Sequence, residues 1–284
     1  MPAKFSGESP NLSHEDVESV GETATEEMLE GPNGYKIPYA ESVPDGANTI
    51  IIATHGFCGD KKSSCISLLE ENVNQVGAGL VKFDWPAHGD SPVEGDQLTV
   101  ANCLADLDAV VKHVREKYPN AKLVPFSTSF GGYVTLLYIQ EHPNDFAHVI
   151  LRSPAINMYD VLSDSIMDDA ARESVREKGS FRFGFERPID VTDRFVEELK
   201  QNNVQEALRG MPLSNVTIIH GTSDDLVPFS DSQDFATQHG AHIYPVTGAD
   251  HRYKGDGELA KVMFVALNVL KNLDSSDGSA PLND

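Results

Sequence analysis

Short apolar runs alternate with longer amphipathic segments along most of this 284-residue chain. The runs carry apolar side chains at successive positions, which is typical of parallel strands buried on both faces. The clearest amphipathic segment runs from Thr99 to about Tyr118, has a helical apolar stripe and is stopped by Pro119. Strands that alternate with helices form a mostly parallel sheet with helices on both faces, so we predict an α/β fold. The predicted strands are 48–54, 80–84, 123–128, 149–151, 216–219 and 243–246, and the stripe from Leu259 to Leu270 predicts a closing helix.

The stretch from Leu123 to Gly132 places a serine at a turn between a strand and a helix. An apolar strand runs up to Ser129, and a helical segment follows it. A serine on so tight a turn projects its hydroxyl from the backbone at the positive end of the helix, where free N–H groups can hold an anion. Gly131 and Gly132 leave room for neighbouring elements. The pattern indicates a nucleophile at Ser129, or else a small-residue turn without chemistry.

Two later strands also end in polar residues. The fifth predicted strand is followed by Asp224 and Asp225, and the sixth is followed by His251. A serine hydroxyl becomes a good nucleophile when a base accepts its proton and a carboxylate orients that base. Because functional groups of such folds gather beyond the carboxyl ends of the parallel strands, we expect these residues to meet Ser129 there. From the residues alone, either aspartate can supply the carboxylate.

Charge and composition exclude several classes of partner. The net charge of −22 at pH 7 repels polyanions, so neither nucleic acid nor an anionic membrane is expected as a partner. No apolar run approaches the length of a membrane span, and residues 1–19 lack the apolar segment of a signal peptide. Three cysteines without metal-ligand spacing suit a reducing compartment, so we predict a cytoplasmic protein. We predict a flexible acidic N-terminal arm over residues 1–22, a single domain over 23–273 and a polar C-terminal tail over 274–284.

Three of these segments resemble the α/β-hydrolase superfamily. The turn at Ser129 is similar to the G-x-S-x-G nucleophile elbow, with Ser127 in place of the first glycine. The segment His220 to Pro228 resembles the H-G-x-x-D-x-x-V-P segment that carries the acid in this family, and Gly248 to His251 resembles its G-x-x-H loop with the base. The resemblance implies an α/β-hydrolase fold, no metal or organic cofactor, and a catalytic triad of Ser129, Asp224 and His251.

The resemblance also implies an oxyanion hole, which is a pair of N–H donors for the negative charge that develops on the attacked carbonyl. The segment His55-Gly56-Phe57 is similar to the family's H-G-x motif. We therefore expect the backbone N–H groups of Phe57 and Phe130 to be the two donors. Three other histidines are expected to shape loops rather than to act as bases: His55, His88 and His220.

An insertion interrupts the alternation from about residue 155 to 210. In this family the same place carries a cap over the active site, so the resemblance implies a small cap; the alternative is an ordinary surface insertion. Within the superfamily, the chain is most similar to cinnamoyl- and feruloyl-esterase-like and to serine-aminopeptidase-like hydrolases. That similarity is carried by His55-Gly56-Phe57, by the segment Phe83 to Ser91 and by the compact insertion.

We accordingly expect a serine hydrolase that cleaves carboxylic esters of small soluble substrates through an acyl-enzyme. The insertion mixes apolar with acidic and basic residues, which suits an enclosed pocket better than a lipid-docking face. Short acyl or hydroxycinnamoyl esters are the expected substrates. An amide or peptide hydrolase or an acyltransferase on the same triad is the alternative, and a non-catalytic binding protein on a hydrolase frame is another. The sequence leaves the oligomeric state open, a homodimer included.

Overall fold

The computed structural model describes residues 25–184 and 187–275. The predicted N-terminal arm and nearly all of the predicted tail lie outside these residues. The strands are β1 (Thr25–Glu30), β2 (Lys36–Ser42), β3 (Thr49–Thr54), β4 (Gly79–Phe83), β5 (Lys122–Thr128), β6 (Val149–Arg152), β7 (Ser180–Phe183), β8 (Ile189–Thr192), β9 (Val216–Gly221) and β10 (His242–Val246). The α-helices are α1 (Ser64–Val73), α2 (Val100–Lys117), α3 (Phe130–Glu141), α4 (Met158–Asp160), α5 (Asp169–Lys178), α6 (Asp193–Gln201), α7 (Val204–Ala207), α8 (Phe229–His239) and α9 (Glu258–Ser275). Short 3-10 turns cover Asn74–Val76 and Gly95–Gln97, and a π-helical turn covers Val161–Ile166.

A mixed eight-stranded sheet forms the centre, in the order β1-β2-β4-β3-β5-β6-β9-β10. The β1–β2 and β2–β4 pairs are antiparallel, and the other five pairs are parallel. The predicted mostly parallel sheet is therefore confirmed. Because β4 lies on one side of β3 and β5 on the other, the strand order reverses between β3 and β5. Ligands of such sheets bind beyond the carboxyl ends of the strands at a reversal of this kind.

Helices cover both faces of the sheet. Successive residues of β3 point to opposite faces, so Ile50 and Ile52 join one buried cluster and Ile51 joins the other. The first cluster includes Leu107 of α2, and the second includes Leu69 of α1. Each strand of this region is buried on both sides, which explains why it is apolar without alternation.

Pro125 lies inside β5 although β5 is a central strand. A proline lacks the N–H that a central strand uses in its ladder. The first residue of β5 that pairs with β6 is Phe126, opposite Ile150, so Pro125 precedes that ladder. On the side of β5 that faces β6, the carbonyl of Leu123 accepts the N–H of Ala147 at 3.0 Å. Because backbone polar groups two residues apart point to the same side of a strand, the Pro125 nitrogen also faces the start of β6. The proline therefore removes only one backbone hydrogen bond, at the end of the β5–β6 ladder.

The chain between β6 and β9, where the sequence predicts a cap, forms elements α4 to α7 and a hairpin of β7 and β8. Helix α6 buries Phe195 and Leu199, whereas α5 has no buried side chain. Within the described ranges, no helix is long and apolar enough to cross a membrane.

Candidate active site

Ser129 occupies the turn between β5 and α3 in a strained backbone conformation. Its φ of 51° and ψ of −112° are rare for a residue with a side chain, and Ser129 is only 7% exposed. The following glycines explain how so tight a turn is packed. A Cβ on Gly131 would lie 2.3 Å from Thr54 Oγ1, and one on Gly132 would lie 2.8 Å from the Pro154 Cβ. Both positions therefore require glycine.

Ser127, which stands where the elbow pattern has its first glycine, is fully buried. Its Oγ lies 2.8 Å from Oγ1 of Thr135 on α3. The two hydroxyls satisfy each other within the junction of strand and helix, so the extra side chain leaves no unpaired hydroxyl at this position. The hydroxyl of Ser127 is thus committed to the interior.

His251 lies between Ser129 and Asp224 in a chain of hydrogen bonds. Its Nε2 is 3.1 Å from Ser129 Oγ, and its Nδ1 is 2.7 Å from Asp224 Oδ2. Because an ionised carboxylate only accepts hydrogen bonds, the proton belongs on Nδ1, and Nε2 is left to accept the serine hydroxyl. The structure therefore brings together three sequence-predicted residues that follow three different strands.

Asp224 is oriented by several donors besides His251. Its Oδ1 accepts the backbone N–H groups of Leu226 and Val227 at 3.0 and 2.8 Å. His220 Nε2 lies 3.1 Å from Asp224 Oδ2. Burial alone would raise the pKa of Asp224, but the hydrogen bonds from His220 and His251 hold it well below the usual range. The carboxylate is consequently ionised at neutral pH.

His220 bonds to Asp224 from within the core. Because the ionised Asp224 only accepts hydrogen bonds, the proton of His220 belongs on Nε2, and Nδ1, 2.8 Å from Ser232 Oγ, accepts that hydroxyl. The neighbouring Asp225, which the residues alone left as an alternative acid, is exposed. The geometry therefore places Asp224 opposite the base, and His220 is more than a loop-shaping residue because it also binds that carboxylate.

The predicted oxyanion donors lie on two segments that approach Ser129. Phe130 is the first residue of α3, so its backbone N–H has no partner within the helix. On the other side, a Cβ on Gly56 would lie 3.2 Å from the Cβ of Ser129, which shows how closely the 55–57 loop passes the serine. Phe57 follows directly after this approach.

Buried contacts fix the 55–57 loop. His55 Nδ1 lies 2.8 Å from the carbonyl of Gly56, and its Nε2 accepts the N–H of Trp85 at 3.2 Å. The indole of Trp85 in turn donates to the carbonyl of His55 at 3.0 Å. Burial lowers the pKa of His55, which keeps the ring neutral in this role. Lys61 and Asp84 form a fully buried ion pair, with Nζ 2.7 Å from Oδ2. This pair joins the chain that follows the 55–57 loop to the segment after β4.

An aromatic wall, which we define as Phe57, Phe130, Phe183 and Phe195, stands at the 55–57 loop. The ring of Phe57 is stacked on Phe183 and on Phe195 with centroids 6.1 and 6.0 Å apart. Phe130 meets Phe57 edge to face at 5.9 Å. Phe183 and Phe195 belong to the insertion, so the insertion closes over this loop. Phe185, two residues after Phe183, lies outside the described residues.

Arg187 fastens the insertion to the segment after β4. Its guanidinium donates to the backbone carbonyls of Gly89 and Ser91 at 2.7 Å each and to that of Val93 at 2.9 Å. Burial lowers the pKa of His88, in the same segment, to about 3, so this ring is neutral. His88 stacks on Phe130 with centroids 6.5 Å apart, which places it among the packing groups rather than among the bases.

Sequence reasoning missed Arg187 and Arg152, whose Nη2 donates to the backbone carbonyl of His251 at 2.7 Å, and gave His220 only a structural role. A charged residue at the end of an apolar strand is a usable signal for Arg152, and the four-residue spacing from His220 to Asp224 is one for His220. Nothing near Arg187 marks it. Among the described residues, no group of three or more His, Cys, Asp and Glu side chains is placed to hold a metal ion.

Comparison with known proteins agrees with this description. A family described as serine aminopeptidase, S33, matches residues 45–174, a little under half of the chain. A monoacylglycerol lipase of Mycolicibacterium smegmatis is 21% identical over 146 residues, which are 51% of this chain and 51% of that protein. The chain thus spans about half the length of the curated relative it matches.

Several solved structures share the fold over most of the chain. A putative hydrolase from Agrobacterium vitis S4 has a TM-score of 0.73 at 20% identity and covers 87% of this chain and 98% of its own. Est1E from Butyrivibrio proteoclasticus, with ferulic acid bound, has a TM-score of 0.71 at 18% identity over 88% and 98%. Mouse α/β hydrolase domain-containing protein 10 has a TM-score of 0.68 at 17% identity over 88% and 100%. Together, the strand order of the sheet and these structural likenesses show that the chain has the α/β-hydrolase fold.

Proposed function

We propose that the protein is a serine esterase that cleaves carboxylic esters with a triad of Ser129, His251 and Asp224. One observation carries the proposal. The serine hydroxyl, the imidazole and the carboxylate form a continuous hydrogen-bonded chain, with distances of 3.1 and 2.7 Å. Such a chain lets the imidazole take the serine proton while the carboxylate stabilises the imidazolium that results.

The reaction follows from these contacts. Ser129 Oγ attacks the ester carbonyl carbon as its proton passes to His251 Nε2, and the carbonyl oxygen becomes an oxyanion. Collapse of this intermediate breaks the carbon–oxygen bond to the alcohol, which leaves with the proton from His251. A water then gives its proton to His251 and attacks the acyl-enzyme, and the second collapse releases the acid and returns the proton to Ser129.

The oxyanion of both steps would be held by the N–H groups of Phe57 and Phe130. Donors fixed before the reaction stabilise the developing charge without having to reorganise, and losing one such donor typically costs about 10²–10³ in kcat. The bonds of His55 to the Gly56 carbonyl and to Trp85 support this role, because they hold the loop rigid. The proposal assigns no metal and no organic cofactor to the site.

Small soluble esters with short acyl groups or aromatic acids are the proposed substrates. Ser129 is 7% exposed and the His251 side chain is 13% exposed, so the approach to the nucleophile is narrow. Of the aromatic wall, Phe130 and Phe195 are buried, and the partly exposed rings of Phe57 and Phe183 are the surfaces that we assign to an aromatic acid. Est1E, whose fold is similar, has been solved with ferulic acid bound. We take the 155–210 insertion as the cap that carries half of this wall.

The partners and location follow the same argument. Free cysteines at 58, 65 and 103 suit a reducing compartment, so we propose that the enzyme works in the cytoplasm. Its substrate would be a small-molecule ester, with no nucleic acid or membrane as partner, because the net charge of −22 repels polyanions.

A panel of four substrates tests the proposal: butyrate, ferulate and oleate esters of one alcohol, and an aminoacyl anilide. We expect kcat/KM for butyrate or ferulate to exceed the values for the other two by at least about tenfold. The match of residues 45–174 to a serine aminopeptidase family favours the second candidate, an amide or peptide hydrolase on the same triad. A clear preference for the anilide would establish that candidate instead, and a preference for oleate would contradict the substrate size. Transfer to an added alcohol, measured in the same assay, would identify an acyltransferase.

A further inference from the structure

Arg152, at the carboxyl end of β6, is bonded to both the nucleophile and the base. Its backbone carbonyl accepts the N–H of Ser129 at 3.0 Å. Its side chain reaches the other way, and Nη2 donates to the backbone carbonyl of His251 at 2.7 Å. One residue thus contacts the main chain of the two groups between which a proton would move.

The guanidinium of Arg152 is a buried cation. Arg152 is 6% exposed, and its Nε has no hydrogen-bond partner among the described residues. Within the same residues, no carboxylate lies within ion-pair distance of Arg152. The charge is instead stabilised by the His251 carbonyl and by the ring of Tyr253, whose centroid lies 4.5 Å away. Burying a cation without a carboxylate is costly, so the arrangement does not serve stability alone.

Tyr253 is itself held in place under the guanidinium. It is 2% exposed, and its φ of 55° lies in the left-handed region. Its hydroxyl is 3.1 Å from Ser153 Oγ and donates to the carbonyl of Ile219 at 3.3 Å. The loop that carries His251 is therefore joined to β6 and β9 through both Arg152 and Tyr253.

This link matters because the His251 loop follows an edge strand. The sheet ends in the order β6-β9-β10, so β10 pairs only with β9. Ser129 follows β5, on the far side of β6. With neighbouring strands about 4.8 Å apart, β9 alone separates β6 from β10 by roughly 10 Å, which an extended arginine can span. Arg152 reaches across β9 in this way.

We propose that Arg152 is a positioning residue that fixes His251 relative to Ser129 by holding the His251 carbonyl. The inference rests on the proposed function. A shift of about 1 Å between reacting groups can cost roughly 10²-fold in rate, so a loose His251 loop should lower kcat while substrate binding is largely kept.

Three substitutions test the hydrogen bond. Arg152→Met removes it, and we expect kcat to fall about 10- to 100-fold while KM stays within about threefold. Arg152→Gln keeps an N–H donor on a shorter side chain, and Arg152→Lys keeps a donor without the planar fork, so each should recover part of kcat.

Lys82→Met is the matched control. Lys82 is a buried cation in β4 that pairs with Glu70 at 2.6 Å, away from the described site. We expect it to lower the melting temperature and to leave kcat and KM close to the wild-type values. Folded Arg152 variants that keep the wild-type kcat would overturn the inference and leave the proposed function standing; if the methionine variant does not fold, the glutamine and lysine variants decide. A wild-type protein that neither hydrolyses esters nor reacts at Ser129 with a fluorophosphonate would overturn both.

Discussion

The carboxyl edge of the sheet and the 155–210 insertion above it are stabilised in different ways. At the sheet edge, the turns that carry Ser129, Asp224 and His251 follow three paired strands, and buried groups such as His220 hold them from below. In the insertion, α5 buries no side chain, and its ion pairs are exposed. The other elements of the insertion are attached through side chains, both apolar ones buried in the main core, such as Phe195 and Leu199, and polar ones such as Arg187.

This difference suggests how the molecule divides its tasks. Strand pairing sets the positions of the reactive groups, so substitutions there should change kcat. Side-chain packing sets the wall above them, so substitutions in the exposed parts of the insertion should change KM and substrate preference. The predictions that follow run from the largest expected effect on turnover to the smallest.

Replacing the nucleophile should have the largest effect. Ser129→Ala removes one hydroxyl at an elbow that its glycines already shape, so the protein should fold normally and lose about 10⁴-fold or more in kcat. Ser127→Ala, whose hydroxyl bonds to Thr135 in the interior, is the matched control and should keep activity within about threefold. Steady-state kinetics on a butyrate ester measure both. An inactive Ser127 variant beside an active Ser129 variant would refute the elbow assignment.

Replacing the acid should have the next largest effect. Asp224→Asn removes the carboxylate that orients His251, and we expect kcat to fall about 10³- to 10⁴-fold; His251→Ala should do similar damage. Asp225→Asn, at the exposed neighbouring residue, should leave kcat nearly unchanged. Because the pKa of Asp224 is held below the usual range, this carboxylate should add no acid limb of its own above about pH 4. Equal losses in the two asparagine variants would show that the carboxylate opposite His251 is wrongly assigned.

A change in the insertion should alter selectivity with little effect on chemistry. Phe183→Ala removes a ring that stacks on Phe57, so KM for a ferulate ester should rise about three- to tenfold while kcat for a butyrate ester changes little. Labelling of Ser129 by a small fluorophosphonate should be unaffected. Phe264→Ala, at a ring that is 69% exposed on α9, is the control. A large loss of kcat on both esters would contradict the proposal that the insertion sets substrate preference and the sheet edge sets turnover.

Asp106 is a buried carboxyl group outside the candidate active site. Burial raises its pKa to about 7, in contrast to Asp224, although Tyr35 donates to its carboxyl at 3.1 Å. An unfolded aspartate titrates near about 3.9, so the stability from the protonated form is complete below about pH 4 and is lost as pH rises through 7. The loss is up to about 4 kcal/mol. The free energy of unfolding of Asp106→Asn, measured by denaturation at pH 5 and pH 8, should lack this fall, and its turnover should be unchanged. An equal fall in the wild-type and Asp106→Asn proteins would show that another group causes the pH dependence.

The sequence predicted the parts of the molecule that depend on local pattern. The strand before Ser129, the helix Val100–Lys117 and the segments with Asp224 and His251 are readable because apolar period, glycine positions and chain order are local properties. The tie from Arg152 to His251 is not, because it depends on β9 lying between β6 and β10. Likewise, the stack of Phe57 on Phe183 joins residues far apart in the chain, so no sequence periodicity predicts it.

The central claim is that Ser129 alone is activated as a nucleophile by His251. Intact-mass measurement after treatment with a fluorophosphonate, followed by peptide mapping, tests it most directly. The account predicts one adduct per chain, on Ser129, formed by the wild-type protein and lost in both Ser129→Ala and His251→Ala. An adduct on another residue, or full labelling of Ser129 in the His251→Ala protein, would contradict it.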